Sequence, residues 1–266
     1  MLIVKVPGIN NLKGITGCEK AGNLIIEELA NIHASESGKV VEKRLLNFEE
    51  IHLDNKDLIL TSKLINKNAL DIFKSQDKTI FLGGDQSVTF HLARAFMNYC
   101  NHEGKRPCLL IFDSRPNCSF AEGKNDYATN ENWLKKLVEE GFNPKNIMVI
   151  GATNVSTEER EFLIRKGIIK IGVNSFLEDI DNIADTVMEF CNGKEVYVSI
   201  DINVLDGTYS QASFSDFGGL TVRQLLYVLQ RINKIKNLKA LDIVEINPDF
   251  DVKSVKIGAK ILAEIL

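Results

Sequence analysis

The sequence predicts a single α/β domain over residues 1–266: three layers, with helices on both faces of a mostly parallel sheet of about eight strands. Short β-branched runs alternate with helical patterns along the whole chain, as repeated βαβ units require. Two of the runs, CLLIFD (108–113) and VYVSID (196–201), are apolar on both faces, the pattern of strands covered by helices above and below. No low-complexity linker, composition break or internal repeat divides the chain.

In chain order, a strand at 2–6 leads to a helix at 18–34, and a strand at 43–47 to a helix at 56–76. The third strand, 79–82, runs into a glycine turn and a helix at 87–101; the fourth, 108–113, is followed by a helix at 130–140. Strands at 146–150, 168–172 and 195–201 alternate with helices at 156–166, 178–191 and 221–235. A strand at 239–245 and a helix at 252–265 close the chain. Three helix starts show capping-box spacing, in which side chains satisfy the first-turn amides: Thr16 with Glu19, Ser156 with Glu159 and Thr221 with Gln224.

Composition removes several function classes. A net charge of -4, with acids and lysines interspersed, provides no basic footprint for nucleic acid. No run approaches the roughly 18 apolar residues of a membrane helix, and the apolar start at residues 1–6 is too short for a signal peptide. The expectation is a cytoplasmic protein with no membrane and no nucleic-acid partner. The five cysteines are scattered, without a Cys-x-x-Cys pair, and predict neither disulfides nor structural zinc. Cys118 beside Asn117 could be a nucleophile, but nothing nearby in sequence would lower its pKa.

In an open parallel sheet, ligands bind beyond the carboxyl ends of the strands. Polar clusters stand at four such ends: Gly83-Gly84-Asp85-Gln86-Ser87, Asp113-Ser114-Arg115-Pro116-Asn117, Ser199 to Asp206, and DIVEINPDFD at 242–251. In order and spacing they resemble the motifs of the ureohydrolases, the manganese-dependent arginase, agmatinase and formiminoglutamase group: Gly-Gly-Asp-His-Ser, Asp-Ala-His-x-Asp and Ser-x-Asp-x-Asp-x-x-Asp-Pro. GGLTVRQL (218–225) and VEINP (244–248) extend the resemblance, and PGINNLKGITGCEKAG (7–22) does so more faintly. It implies the arginase/deacetylase-like fold. In that family two histidines and four aspartates hold two manganese ions, and a bridging water attacks the guanidinium carbon.

Position by position, the resemblance implies a degenerate site. Gln86 and Arg115 stand where the two histidines belong, and Asn117 and Asn203 where two aspartates belong. Only Asp113 and Asp201 retain ligand identity. A further family histidine is missing from NDYATNENWL (125–134), and His33, His52, His91 and His102 all fall outside the motifs. A deacetylase-like reading fails for the same reason, since that chemistry also needs metal-binding histidines.

Charge balance suggests that the Arg115 guanidinium replaces one metal between Asp113 and Asp201. No cofactor is expected. The remaining oxygen donors, Asp113 and Asp201 with the carbonyls of Gln86 and Asn117, would admit magnesium, calcium or sodium weakly. Alternatively, the amides of Gln86 and Asn117 bond the carboxylates directly and leave no vacancy. Ser199 and Asp206 are expected to fix loop geometry, and Glu245 and Asn247 to support the pocket by hydrogen bonds. Asp216 lies near a substrate-binding position of the family, one residue shorter.

Two functions follow as expectations: a non-catalytic binding, regulatory or structural homologue, or a hydrolase of guanidino or formimino C–N bonds with a single-metal or metal-free site. A small guanidino or amino ligand and a homo-oligomer are implied by the resemblance alone.

Overall fold

The computed structural model describes residues 1–10, 16–119, 127–210 and 216–266. Residues 11–15 of the amino-terminal stretch, 125–126 of NDYATNENWL, and 214–215 beside Asp216 lie outside the described residues.

Eight parallel strands form one sheet: β1 (Leu2–Val6), β2 (Asn47–Glu50), β3 (Thr79–Gly83), β4 (Pro107–Phe112), β5 (Ile147–Ile150), β6 (Ile169–Ile171), β7 (Glu195–Asp201) and β8 (Leu238–Val244). Their spatial order is β2-β1-β3-β8-β7-β4-β5-β6. The four strands whose ends carry the polar clusters, β3, β8, β7 and β4, are therefore consecutive neighbours in the middle of the sheet.

Alternation along the strands builds two cores. Ile3, Leu110, Phe112 and Val198 point to the face covered by α1 (Ala21–Glu28), α7 (Ile180–Cys191), α8 (Val222–Ile232) and α9 (Val252–Ile265). Leu2, Val4, Leu109, Ile111 and Tyr197 point to the other. That face is covered by α2 (Leu58–Ser75), α3 (Ser87–His102), α4 (Trp133–Glu139) and α5 (Thr157–Lys166). A short helix, α6 (Val173–Glu178), precedes α7. Burial on both faces is why the central strands read as continuous apolar runs rather than alternating ones.

The capping boxes at Ser156 and Thr221 form. Ser156 Oγ accepts from Glu159 N–H at 3.2 Å and Ser156 N–H donates to Glu159 Oε2 at 3.1 Å; Thr221 and Gln224 repeat the exchange at 3.2 and 2.9 Å. The predicted Thr16–Glu19 box does not. Glu19 accepts from Gly17 N–H instead, and the Thr16 carbonyl is taken by Asn247 Nδ2 at 2.9 Å, so the chain enters through a 3-10 turn at Cys18–Lys20 and α1 begins only at Ala21. The second strand also lies later than the predicted 43–47: residues Lys43–Leu45 form a 3-10 turn and β2 is Asn47–Glu50. As an edge strand with one neighbour and half-exposed side chains, it has little apolar pattern to mark its start.

The turn after β3 is held by close backbone contact. A Cβ on Gly84 would lie 1.9 Å from the Gly8 carbonyl oxygen, which accepts Asp85 N–H at 3.1 Å, while the Gly84 carbonyl accepts Glu245 N–H at 2.9 Å. One turn thus joins the ends of β1, β3 and β8. Gly84→Ala should destabilise the fold by about 3 kcal/mol, well above the about 1 kcal/mol expected for loss of the Ser156 cap in Ser156→Ala. Urea unfolding of the two variants tests that order.

Candidate functional site

The polar clusters meet in one cleft beyond the ends of β4, β7 and β8, lined by the buried Gln86, Asp113, Asn117, Asp201, Asn203 and Glu245 and by the more exposed Arg115, Asn130 and Glu131. The cavity is about 20 Å³, room for a single water-sized occupant.

Asp113 is the most heavily bonded group in it. Its Oδ2 accepts from Gln86 Nε2 at 2.8 Å and from Asn117 Nδ2 at 2.7 Å, and its Oδ1 accepts from the Arg115 backbone N–H at 2.9 Å. Asn117 Nδ2 also donates to Gln86 Oε1 at 2.6 Å, closing a triangle of two amides and a carboxylate. The amides thus follow the sequence-level alternative in which they bond the carboxylate directly. Asn117 holds this position with φ 54°, and its carbonyl accepts Leu134 N–H at 3.2 Å. Asparagine tolerates that left-handed backbone better than most residues.

Glu245 has φ 64°, a rarer conformation for a residue of its length. It is fixed by its own N–H to the Gly84 carbonyl and by the Gln86 N–H donated to its Oε1 at 2.8 Å. Strained backbone survives where surrounding bonds over-determine it, and both such non-glycine positions among the described residues line this cleft. Asp201 caps the 3-10 turn Ile202–Val204 by accepting Asn203 N–H at 2.7 Å.

The expected placement of Arg115 between Asp113 and Asp201 is overturned. Its guanidinium runs to the rim, where Nη2 donates to Asp216 Oδ2 at 3.2 Å beside a second donor, Asn154 Nδ2, at 3.0 Å. Its hydrogen bond to Asp113 is made by the backbone N–H, and the guanidinium charge acts on that carboxyl through space. The reason is the cost of burying the cation: Asp113 already accepts three N–H groups, and Asp216, about 30% exposed, offers a carboxylate without that burial. Asn247 does not line the cleft; it bonds the Thr16 carbonyl and accepts Asp249 N–H at 3.1 Å. Ser199 donates to Asp242 Oδ1 at 2.7 Å, and Asp206 accepts from Thr208 and Gly218 N–H, so both act within the scaffold.

His91 lines a separate cavity with Ile65 and Val88, where burial and the Arg94 charge push its pKa down to about 3. Cys118 is fully buried; burial and then Glu159 raise its thiol far above the usual range, which leaves it inert. Asn130 and Glu131, which line the cleft, carry no sequence signal of their own, and nothing in the sequence marks Tyr197 as the hydrogen-bonding companion of Ser199 and Asp242.

Electrostatically the cleft is acidic. Burial, only partly offset by the three donors, pushes Asp113 up to about 7. Burial and then Asp85 push Glu245 up to about 8. Asp201 is raised well above the carboxylate range by burial, then by Asp113 and Glu245. A manganese pair does not fit these residues: two amide N–H groups occupy Asp113 Oδ2, a backbone N–H takes Oδ1, and no imidazole lines the cleft. Among the described residues, no three His, Cys, Asp or Glu side chains are grouped to hold a metal ion.

Raised carboxyl pKa values make the native state bind protons more tightly than the unfolded chain, so the associated stability is complete at low pH and is lost as pH rises through the folded values. With Asp242 also raised, to about 6, the loss begins at the unfolded carboxyl values, about 4, and runs up through about 8. The melting temperature should therefore fall by several degrees between pH 5.5 and pH 8.5; a flat or rising profile would show these carboxyls to be ionised throughout.

Comparison with known proteins agrees with this architecture. The Arginase family model matches residues 1–266. Arginase from Saccharomyces cerevisiae is 26% identical over 224 residues, 76% of this chain and 66% of that protein, so the aligned region spans just under two thirds of that relative. Formimidoylglutamase from Halobacterium salinarum is 23% identical over 261 residues, 95% of this chain and 82% of that protein. Among solved structures, proclavaminate amidino hydrolase from Streptomyces clavuligerus has a TM-score of 0.86 at 20% identity, covering 99% of this chain and 89% of that one. Formimidoylglutamase from Bacillus subtilis has a TM-score of 0.87 at 18% identity, covering 99% and 85%. At such identities the structural likeness establishes the fold, and the full-length family match establishes descent: the chain belongs to the arginase family, the ureohydrolases.

Proposed function

We propose that this protein is a non-catalytic member of its family, a binding, regulatory or structural homologue that does not carry out manganese-dependent hydrolysis. The observation that supports the reading is the closed triangle of Gln86, Asn117 and Asp113. Hydrolysis of a guanidinium needs a strong nucleophile at neutral pH, which the family makes by metal coordination of water. Here two neutral amides direct N–H groups at the carboxylate that would face the metal. The Arg115 cation on the rim neither binds a metal nor accepts a proton. A small guanidino or amino ligand remains the ligand class that best suits an acidic cleft, and a cytoplasmic homo-oligomer the assembly in keeping with the family.

A second reading is a metal-free hydrolase of C–N bonds in amidine or guanidino compounds. It is favoured by Asp113 and Glu245, buried carboxyls raised to about 7 and about 8 in one cleft, where groups that exchange protons near neutrality are found in active sites.

After dialysis against manganese, the purified protein should hold well under one ion per chain; two tightly bound ions would refute the first reading. Urea, ammonia or formamide release from arginine, agmatine or formiminoglutamate should not exceed the blank. Release that persists in chelator would instead establish the metal-free enzyme. In the variant combining Gln86→His, Arg115→His, Asn117→Asp and Asn203→Asp, manganese uptake should return, since only side chains and not the strand ends have been altered.

A further inference from the structure

We propose that Asp201, Asn203 and Glu245 form an oxygen-lined site for one monovalent cation. The inference rests on the reading above, in which manganese does not occupy the cleft. It follows from an imbalance between the two halves of the cleft floor.

On the β4 side, donors are plentiful: three N–H groups serve the two oxygens of Asp113. On the β7–β8 side, they run out. Among the described residues, Asp201 is served by Asn203, through its backbone N–H at 2.7 Å and its side-chain amide. Glu245 receives the Gln86 N–H on Oε1. Asn203 is only 3% exposed, yet among the described residues its Oδ1 meets no hydrogen-bond donor. A buried carbonyl without a partner is destabilising by about 1–3 kcal/mol, so such an atom calls for an occupant.

The backbone brings these oxygens together. Asp201 pairs in register with Val244 across β7 and β8, so Glu245 follows directly beside it, and Asn203 returns toward Asp201 through the 3-10 turn. All three line the same cleft. Two carboxyl side chains and an amide with a donorless oxygen, lining a space of about 20 Å³, match a single bare cation. Magnesium keeps several of its waters, and calcium takes six to eight oxygens, more than this space or these side chains supply. The nearby Arg115 guanidinium is engaged with Asp216. Asp113, expected from sequence to share a weak ion site with Asp201, is withdrawn from it by its three donors.

The test compares thermal melts at constant ionic strength in sodium, potassium, ammonium and choline chloride, choline being too large to enter. At least one small cation should raise the melting temperature by several degrees over choline. The ²³Na linewidth should broaden with wild-type protein and narrow when a tighter-binding small cation is added. Asn203→Ala and Glu245→Gln should each weaken the cation effect at least ten-fold. Coincident melts in all four salts, with no sodium broadening, would mean that a water molecule satisfies Asn203 and would overturn the proposal. So would a cation effect unchanged in both variants. Manganese content measured on the same samples separates the two claims: a manganese-free protein indifferent to small cations loses only this site, whereas two manganese ions per chain remove the non-catalytic reading as well.

Discussion

The cleft is organised by the demand of one buried carboxylate for hydrogen. Asp113 ends the central strand β4 with no solvent around it, and an ionised carboxylate there must be surrounded by donors or take up a proton. Gln86 and Asn117 provide two of those donors, and the turn that carries Arg115 provides the third. Once they do so, the other features follow. Asn117 must adopt a left-handed backbone to aim its amide inward, and the Arg115 guanidinium, whose burial would be costly, pairs with the half-exposed Asp216 instead.

The same arithmetic of donors explains why replacing metal ligands need not unfold such a scaffold. Removing one member of a buried charged cluster normally leaves its partners uncompensated, at a cost of several kcal/mol. Amides are suited to the substitution because each carries donors and an acceptor, so Gln86 and Asn117 satisfy Asp113 and each other at once. The compensation is local, however. It reaches Asp113 but stops short of Asp201 and Glu245, whose proton affinities stay raised by burial and then by neighbouring carboxyls.

Most of the scaffold was legible in the residues. CLLIFD and VYVSID, apolar on both faces, mark β4 and β7 as central strands, and Ser156 and Thr221 mark helix starts that form as the capping box requires. What failed was decided by contacts distant in sequence. Thr16 reads as a cap until Asn247 takes its carbonyl, and β2 has too little buried surface to announce its start. Within the cleft, residue types were readable but directions were not. Counting charges puts the Arg115 guanidinium beside Asp113; a count cannot register that three N–H groups are already there. Nor does any local pattern show that Asn130 and Glu131 come to the cleft or that Asn203 keeps a buried oxygen without a donor among the described residues.

The contact between Gly84 and the Gly8 carbonyl excludes every side chain, whatever lies in the cleft a few ångströms away. The paired glycines of the Gly-Gly-Asp signature therefore answer to the geometry of the chain crossing, and the residue two places further on answers to the chemistry. A pattern anchored on the glycines will retrieve architecture faithfully and remain blind to whether a reaction is still being run.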